Sequence, residues 1–275
     1  MAEVLYQFLN DSVPEGTSLG VVDGEKVLFA HGDRNRLYQV ASVTKIFTAL
    51  GVLMAAQKGL LDLNDEAGPN GAKLSHLLSH SSGLSFDDRN IILAPPGKRR
   101  IYSNVGMEIA AYHASQKIGQ ELKIFIEEQI FSPLEMKSSR LQDSYATGGL
   151  STLDDLLRLG QELLRRQVLP TVVHEKISDV AYPGLIGVLP GFGRQDPCDF
   201  SLGAEIKGSK SPHWTGSGNS PATFGHFGQS GSFIWVDRQS GLSCIYLGTS
   251  PFGELHKQIW PKLSDIVLSV YNGSI

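Results

Sequence analysis

Hydrophobic positions in this chain change period along its length, and the changes mark out its elements. Val4, Leu5, Phe8 and Leu9 lie on one side of a short helix spanning residues 3–9. Residues 17–22 and 25–30 are strand-like runs on either side of Asp23-Gly24. That pair predicts a two-residue hairpin turn with φ > 0 at both positions. After Ser42 the apolar residues crowd together: Ile46, Phe47, Ala49, Leu50 and Leu53. A helix apolar on every side is a buried helix. It should run to about Lys58 and stop at Gly59. From residue 61 to 167 the pattern is mainly helical, with helical periodicity over 73–80, 104–118, 121–131 and 153–166. Ser151-Thr152 caps the last of these, with Asp154 and Asp155 in its first turn. Pro95-Pro96-Gly97 is a rigid turn that delivers the chain to Tyr102.

The last third reads differently. Fourteen of the 30 glycines fall between Gly184 and Gly253, a density that helix interiors do not tolerate and that strands joined by loops do. Residues 232–236 and 242–247 are two strands joined by 237–241. Residues 254–271 are helical, interrupted or restarted at Pro261. Residues 208–223 are polar and rich in Gly, Ser and Pro, and read either as a disordered surface loop or as a loop lining a site. Strands gathered at the two ends predict an α/β (α+β) fold in which N- and C-terminal parts share one antiparallel sheet flanked by helices. The expected layout is a single domain of 275 residues. Its α/β part is about 1–60 plus 190–275, with a mainly helical region of about 61–189 inserted. A site belongs in the cleft between the two parts.

A net charge of -4 and a pI of about 6.1 argue against nucleic acid as a partner. Lys98-Arg99-Arg100 is the one basic run, and its ordinary reading is a solvated loop. No stretch of eighteen apolar residues occurs, so no membrane span is expected. The first residues carry Glu3 and Asp11 and no basic segment, unlike a secretory signal, so the expected location is cytoplasmic. The two cysteines, Cys198 and Cys244, fit no metal or redox spacing, and Cys244 reads as a core residue in a strand.

Three motifs carry the chemistry. S-x-x-K (Ser42-Val43-Thr44-Lys45), Y-x-N (Tyr102-Ser103-Asn104) and H-x-G (His226-Phe227-Gly228) each occur once, in that order. A serine hydroxyl needs a base to take its proton. One helical turn on, Lys45 faces the same way as Ser42. Burial and the positive end of a helix both push a lysine pKa down, toward use as a base. A phenol with a pKa near 10 at Tyr102 can pass a proton between nucleophile and leaving group. Asn104 can cap the following helix, or contact substrate and orient Lys45. The glycine-rich segment 224–231 leads into a strand and lets a substrate backbone approach. The amides of Ser42 and Gln229 would then form an oxyanion hole.

Two other patterns are set aside. Gly228-Gln229-Ser230-Gly231-Ser232 nearly matches G-x-S-x-G, but a strand follows it where a nucleophile elbow needs a helix. His76 and His80 have metal-ligand spacing, but no catalytic glutamate lies between them and no third ligand is near. Structural hydrogen bonding at a helix end is the better reading, and neither metal nor cofactor is expected.

With these motifs in place, the chain resembles the serine β-lactamase-related family: class C β-lactamases, DD-peptidases and family VIII esterase-like serine hydrolases. The resemblance runs from about residue 17 to 247. It includes Leu77-Leu78-Ser79-His80-Ser81-Ser82-Gly83-Leu84, similar to the family's LLTHTSGL. Pro96-Gly97 through Tyr102-Ser103-Asn104 is similar to PG…YSN, Pro133-Leu134-Glu135-Met136 to PLGM, and Gly148-Gly149-Leu150-Ser151-Thr152 to GGLxST. It implies Ser42 as acylated nucleophile, Lys45 as base partner and Tyr102 as second base or acid. It further implies Asn104 as a contact of substrate and lysine, with oxyanion donors at Ser42 and Gln229. Where many β-lactamases have K-T-G this chain has His226-Phe227-Gly228, which removes the lysine that holds a substrate carboxylate. The segment between Met136 and Gly148 is short, so a site-covering loop is expected to be missing. The expected function is a cofactor-free serine hydrolase that forms an acyl-enzyme on a small ester or amide, with esterase first. DD-peptidase, D-amino-acid amidase and weak β-lactamase are alternatives, and a catalytically silent ligand-binding relative is the non-enzymatic one. Natural substrate and oligomeric state are not encoded legibly.

Overall fold

A computed structural model describes residues 2–272. The chain begins with helix α1 (Ala2–Ser12), which buries Leu5 and Leu9. Strands β1 (Ser18–Val22) and β2 (Val27–His31) form the expected hairpin. Its turn differs from the two-residue form. Asp23 Oδ1 accepts from the amides of Glu25 and Lys26, both at 2.7 Å, and Gly24 has no positive φ. The aspartate closes the loop locally, so the glycine's freedom is not used.

Strand β3 (Tyr38–Ala41) leads to helix α2 (Thr44–Gln57), in which every residue from Thr44 to Ala55 is buried. The helical region follows: α3 (Leu74–Leu78), α4 (Asn104–Ile118) and α5 (Leu122–Ile126), the last continued by a π-helical turn through Phe131. Short strands β4 (Arg140–Leu141) and β5 (Gly149–Ser151) join β3 in a small sheet of order β3-β5-β4. Thr152 caps α6 (Leu153–Arg165) by accepting from Asp155 N, as its sequence predicts. Helix α7 (Thr171–Ser178), the hairpin β6 (Gly187–Leu189)–β7 (Gly193–Gln195) and strand β8 (Glu205–Ile206) complete the middle of the chain. Strands β9 (Phe224–Gly228), β10 (Ser232–Asp237) and β11 (Leu242–Leu247) precede α8 (Glu254–Asn272). Helix α8 runs unbroken through Pro261, against the expected interruption. Trp260, Leu263 and Val267, all buried, hold it against the sheet.

The main sheet has the order β2-β1-β11-β10-β9-β8, and all its pairings are antiparallel. N- and C-terminal parts meet at β1–β11, in register from Ser18↔Leu247 to Val22↔Ser243. Side chains alternate across it. Phe233 and Trp235 enter one core with α1 and α8, while Ile234 and Val236 enter the other with α2, α4 and α6.

Residues 208–223 are an ordered segment, and none of them lines the cavity at Ser42. Lys210, His213, Trp214 and Thr215 are buried around the carboxylate of Glu205. Lys210 forms an ion pair with it, and His213 Nε2 and Trp214 Nε1 each donate to Glu205 Oε2 at 2.9 Å. Burial alone would raise the carboxyl pKa, but the charges and hydrogen bonds of His213 and Lys210 outweigh it and bring it down to about 2. Cys198 and Cys244 are free and buried. Among the described residues, no helix is long and apolar enough to cross a membrane.

Candidate active site

Ser42 stands in the turn between β3 and α2. Ala41, just before it, has φ +44°, a left-handed value that costs energy for a residue with a Cβ. Thr44 holds this turn shut: its hydroxyl donates to Ala41 O and accepts from Gly149 N at 2.8 Å. The first turn is tight, with Lys45 N donating to Ser42 O at 3.1 Å. Lys45 therefore faces the same side as Ser42, and Nζ lies 2.9 Å from Ser42 Oγ.

Lys45 is fully buried. Its Nζ also donates to Asn104 Oδ1 at 2.8 Å and Ala146 O at 3.0 Å. Burial lowers its pKa from 10.5 to about 7, and the charge of Glu108 opposes that shift. Neither Glu108 nor Ala146 stands out in the sequence. Glu108 Oε1 accepts from Ser144 Oγ at 2.6 Å and Ala146 N at 3.0 Å, which sets the carbonyl that receives Lys45. The available signal was its position four residues after Asn104, on the same face of α4.

Asn104 does not cap α4. Ser103 does, accepting from Gly106 N at 3.0 Å, and this leaves the Asn104 amide free to meet Lys45. Tyr102 sits among His80, Phe86, Phe200 and His226, with Lys45 Nζ 4.8 Å from its ring centroid. Burial raises its pKa well above the expected 10, and a hydrogen bond with Ser42 only partly opposes this. The phenol is thus held protonated.

His226, Gly228 and Gln229 come from β9 and the turn after it. His226 Nδ1 donates to Phe227 O at 2.7 Å, which leaves Nε2 as an acceptor 3.4 Å from Tyr102 Oη. Burial, then the charge on Lys45, brings the His226 pKa down to about 3. The imidazole is therefore uncharged at neutral pH. Gly228 packs directly on the serine turn: a Cβ there would lie 2.5 Å from Val40 O and 2.9 Å from Ser42 N. Among the described residues, the amides of Ser42 and Gln229 donate to no protein acceptor. Both remain available to a developing oxyanion.

Ser42, Tyr102, His226 and Gln229 line a cavity of about 100 Å³, together with Phe86, Leu189, Pro190, Phe200, Phe227 and Glu205. All the residues singled out from the motifs thus meet in one place. A larger hollow of about 620 Å³ between α2 and α7 touches none of them. The basic run divides. Arg100 is buried and donates to the carbonyls of Ser79, Ala181, Tyr182 and Cys198, whereas Lys98 and Arg99 are exposed. His76 Nδ1 accepts from Lys73 N at 3.0 Å and its ring stacks on Tyr182, a helix-end role.

Residues 7–267 match the family described as Beta-lactamase. The chain belongs to the β-lactamase family. Its members are serine hydrolases of this fold, and the chain has the fold throughout. A solved structure described as a β-lactamase from Mycobacterium bovis is 40% identical. It superposes with a TM-score of 0.94, over 97% of this chain and 99% of that one. Penicillin-binding protein 4* of Bacillus subtilis (strain 168) is 27% identical over 139 residues, 39% of this chain. That match spans only 31% of the relative's own length. The structure of EstCE1, described as a hydrolase with promiscuous acyltransferase activity, shares the fold. It is 16% identical, with a TM-score of 0.81 over 97% of this chain and 98% of that one.

Proposed function

We propose that this β-lactamase-family chain is an esterase that acylates Ser42 with the acyl group of a small, uncharged ester. The observation that carries the reading is the absence of a fixed cation from a mainly apolar cavity, whose one charged lining residue, Glu205, is an anion. No Lys or Arg side chain is among the residues that line the 100 Å³ cavity, and His226 is held uncharged. A substrate carboxylate finds no fixed cation there, while an ester carbonyl finds two free amides.

In the proposed reaction, Lys45 in its neutral form takes the proton of Ser42 across their 2.9 Å contact. Ser42 Oγ attacks the ester carbonyl, and the amides of Ser42 and Gln229 receive the oxyanion. Tyr102, kept protonated by burial, donates to the departing alkoxide, with His226 Nε2 behind it as an acceptor. Asn104 and Ala146 orient the amine throughout. Water then attacks the acyl-enzyme and gives a proton to the Tyr102 phenolate, while the Lys45 ammonium returns its proton to Ser42 Oγ as the acid departs.

The test is a panel of p-nitrophenyl esters, a chromogenic cephalosporin, a penicillin and a D-Ala-D-Ala peptide, each compared by kcat/KM. Short neutral esters should exceed the β-lactams and the peptide by on the order of 10² or more. Faster turnover of a β-lactam or of the peptide would replace the esterase reading with that activity. Absence of both turnover and covalent labelling would leave a ligand-binding relative.

A further inference from the structure

We propose that His80 is a positioning residue for Tyr102, holding the phenol in line with Ser42. This rests on the reading of Tyr102 as the proton donor. His80 follows the C-terminal end of α3 and has φ +56°, outside the range a histidine favours. That turn directs both its carbonyl and its ring toward residues 101–103. The carbonyl accepts from Ile101 N at 2.8 Å, and Nδ1 accepts from Ser103 N at 3.1 Å. These two amides flank Tyr102, so one residue grips the chain on both sides of the phenol. The ring itself lies against Tyr102, with centroids 4.4 Å apart, and meets Phe200 edge-on at 5.2 Å.

A role in filling the core does not explain this choice of side chain. With Nδ1 accepting, the proton sits on Nε2, and that buried N–H has no partner among the described residues. Buried donors are nearly always paired. Phenylalanine would fill the same space without an orphaned donor, but it cannot accept from Ser103 N. The ring must also stay neutral to keep Nδ1 as an acceptor. Burial first, then the charges of Lys45 and Arg100, hold its pKa well below the usual value. Ser103 needs this acceptor for its amide, because its hydroxyl is already committed to Ser85 O and Gly106 N.

Two variants separate the acceptor from the ring. His80→Asn keeps an acceptor at the same distance from Cα and tolerates the left-handed turn. His80→Phe keeps a ring and loses the acceptor. Both are assayed with p-nitrophenyl acetate, with kcat expressed per active site titrated by a fluorophosphonate. His80→Phe should lose about 30-fold or more in kcat with KM within about 3-fold, and His80→Asn should recover to within about 5-fold of the parent. In combination with Tyr102→Phe, His80→Phe should cost little further, since it acts through the phenol. An unchanged kcat per titrated site in His80→Phe, or a loss that adds in full to that of Tyr102→Phe, would overturn the proposal. Full activity in Tyr102→Phe alone would instead remove the reading of Tyr102 on which the proposal rests.

Discussion

Removing the amine of Lys45 should change how stability depends on pH, and the size of the change follows from its burial. In the folded chain Lys45 loses its proton near pH 7, against 10.5 for an ordinary lysine. Between these values the unfolded state binds the proton and the folded state does not, so stability rises with pH across that window. Integrated from pH 7 to pH 9, the gain is about 2 kcal/mol. For a chain of 275 residues that is a rise in Tm of about 4 °C. Lys45→Met removes the titrating group and fills similar space. The assay is thermal unfolding of both proteins at pH 7, 8 and 9, read as the difference between them. Tyr246 and Cys244, whose pKa values burial raises, act in the opposite sense above about pH 9, but they are common to both proteins. The parent should gain on the variant steadily as pH rises, and its kcat/KM should rise through a single deprotonation near pH 7. A difference that stays flat from pH 7 to 9 would mean that Lys45 remains an ammonium in the folded state. It could not then serve as the base.

Gly228→Ala places a Cβ 2.5 Å from Val40 O and 2.9 Å from Ser42 N, so β9 must move off the serine turn. Steady-state kinetics should show kcat reduced by on the order of 10²–10³, the loss of one oxyanion donor, with KM less affected. Because His226 loses its proton near pH 3, the ratio of kcat/KM for a carboxylate-bearing and a neutral ester should stay flat from pH 8 to pH 5. A ratio that climbs as pH falls through that range would show His226 gaining charge. Glu205→Gln leaves Lys210 buried beside a neutral amide. Its urea midpoint should reveal a destabilisation of about 3–5 kcal/mol, while a loss under about 1 kcal/mol would show that the ion pair is not what orders residues 208–223.

Much of this architecture was legible because it is written in periodicity. The all-round apolar run after Ser42 predicted a buried helix, and α2 is one. The strand pairs at the two ends predicted a shared antiparallel sheet, and β1 pairs with β11. Short elements were not legible. Strands β4 and β8 have two residues each and no room for an alternating pattern. Ser42 and Lys45 meet as their spacing suggested, and the other motif residues gather around them, but their electrostatics depend on groups far away in sequence. Glu108 and Ala146 act on Lys45 through the fold, and burial, which no local pattern encodes, sets the protonation of Tyr102 and His226. Ser103 rather than Asn104 caps α4 because the Asn104 amide has a partner 59 positions earlier in Lys45. The polar stretch 208–223 looked like a loop because its order comes from one buried carboxylate, Glu205, outside it.

Intact-mass analysis with peptide mapping shows directly whether Ser42 is the group acylated. The protein is incubated with a fluorophosphonate and, separately, with p-nitrophenyl acetate quenched in acid, alongside Ser42→Ala. A single adduct is expected, carried by the peptide that contains Ser42 and absent from the variant. An adduct on another residue, or equal labelling of Ser42→Ala, would contradict it.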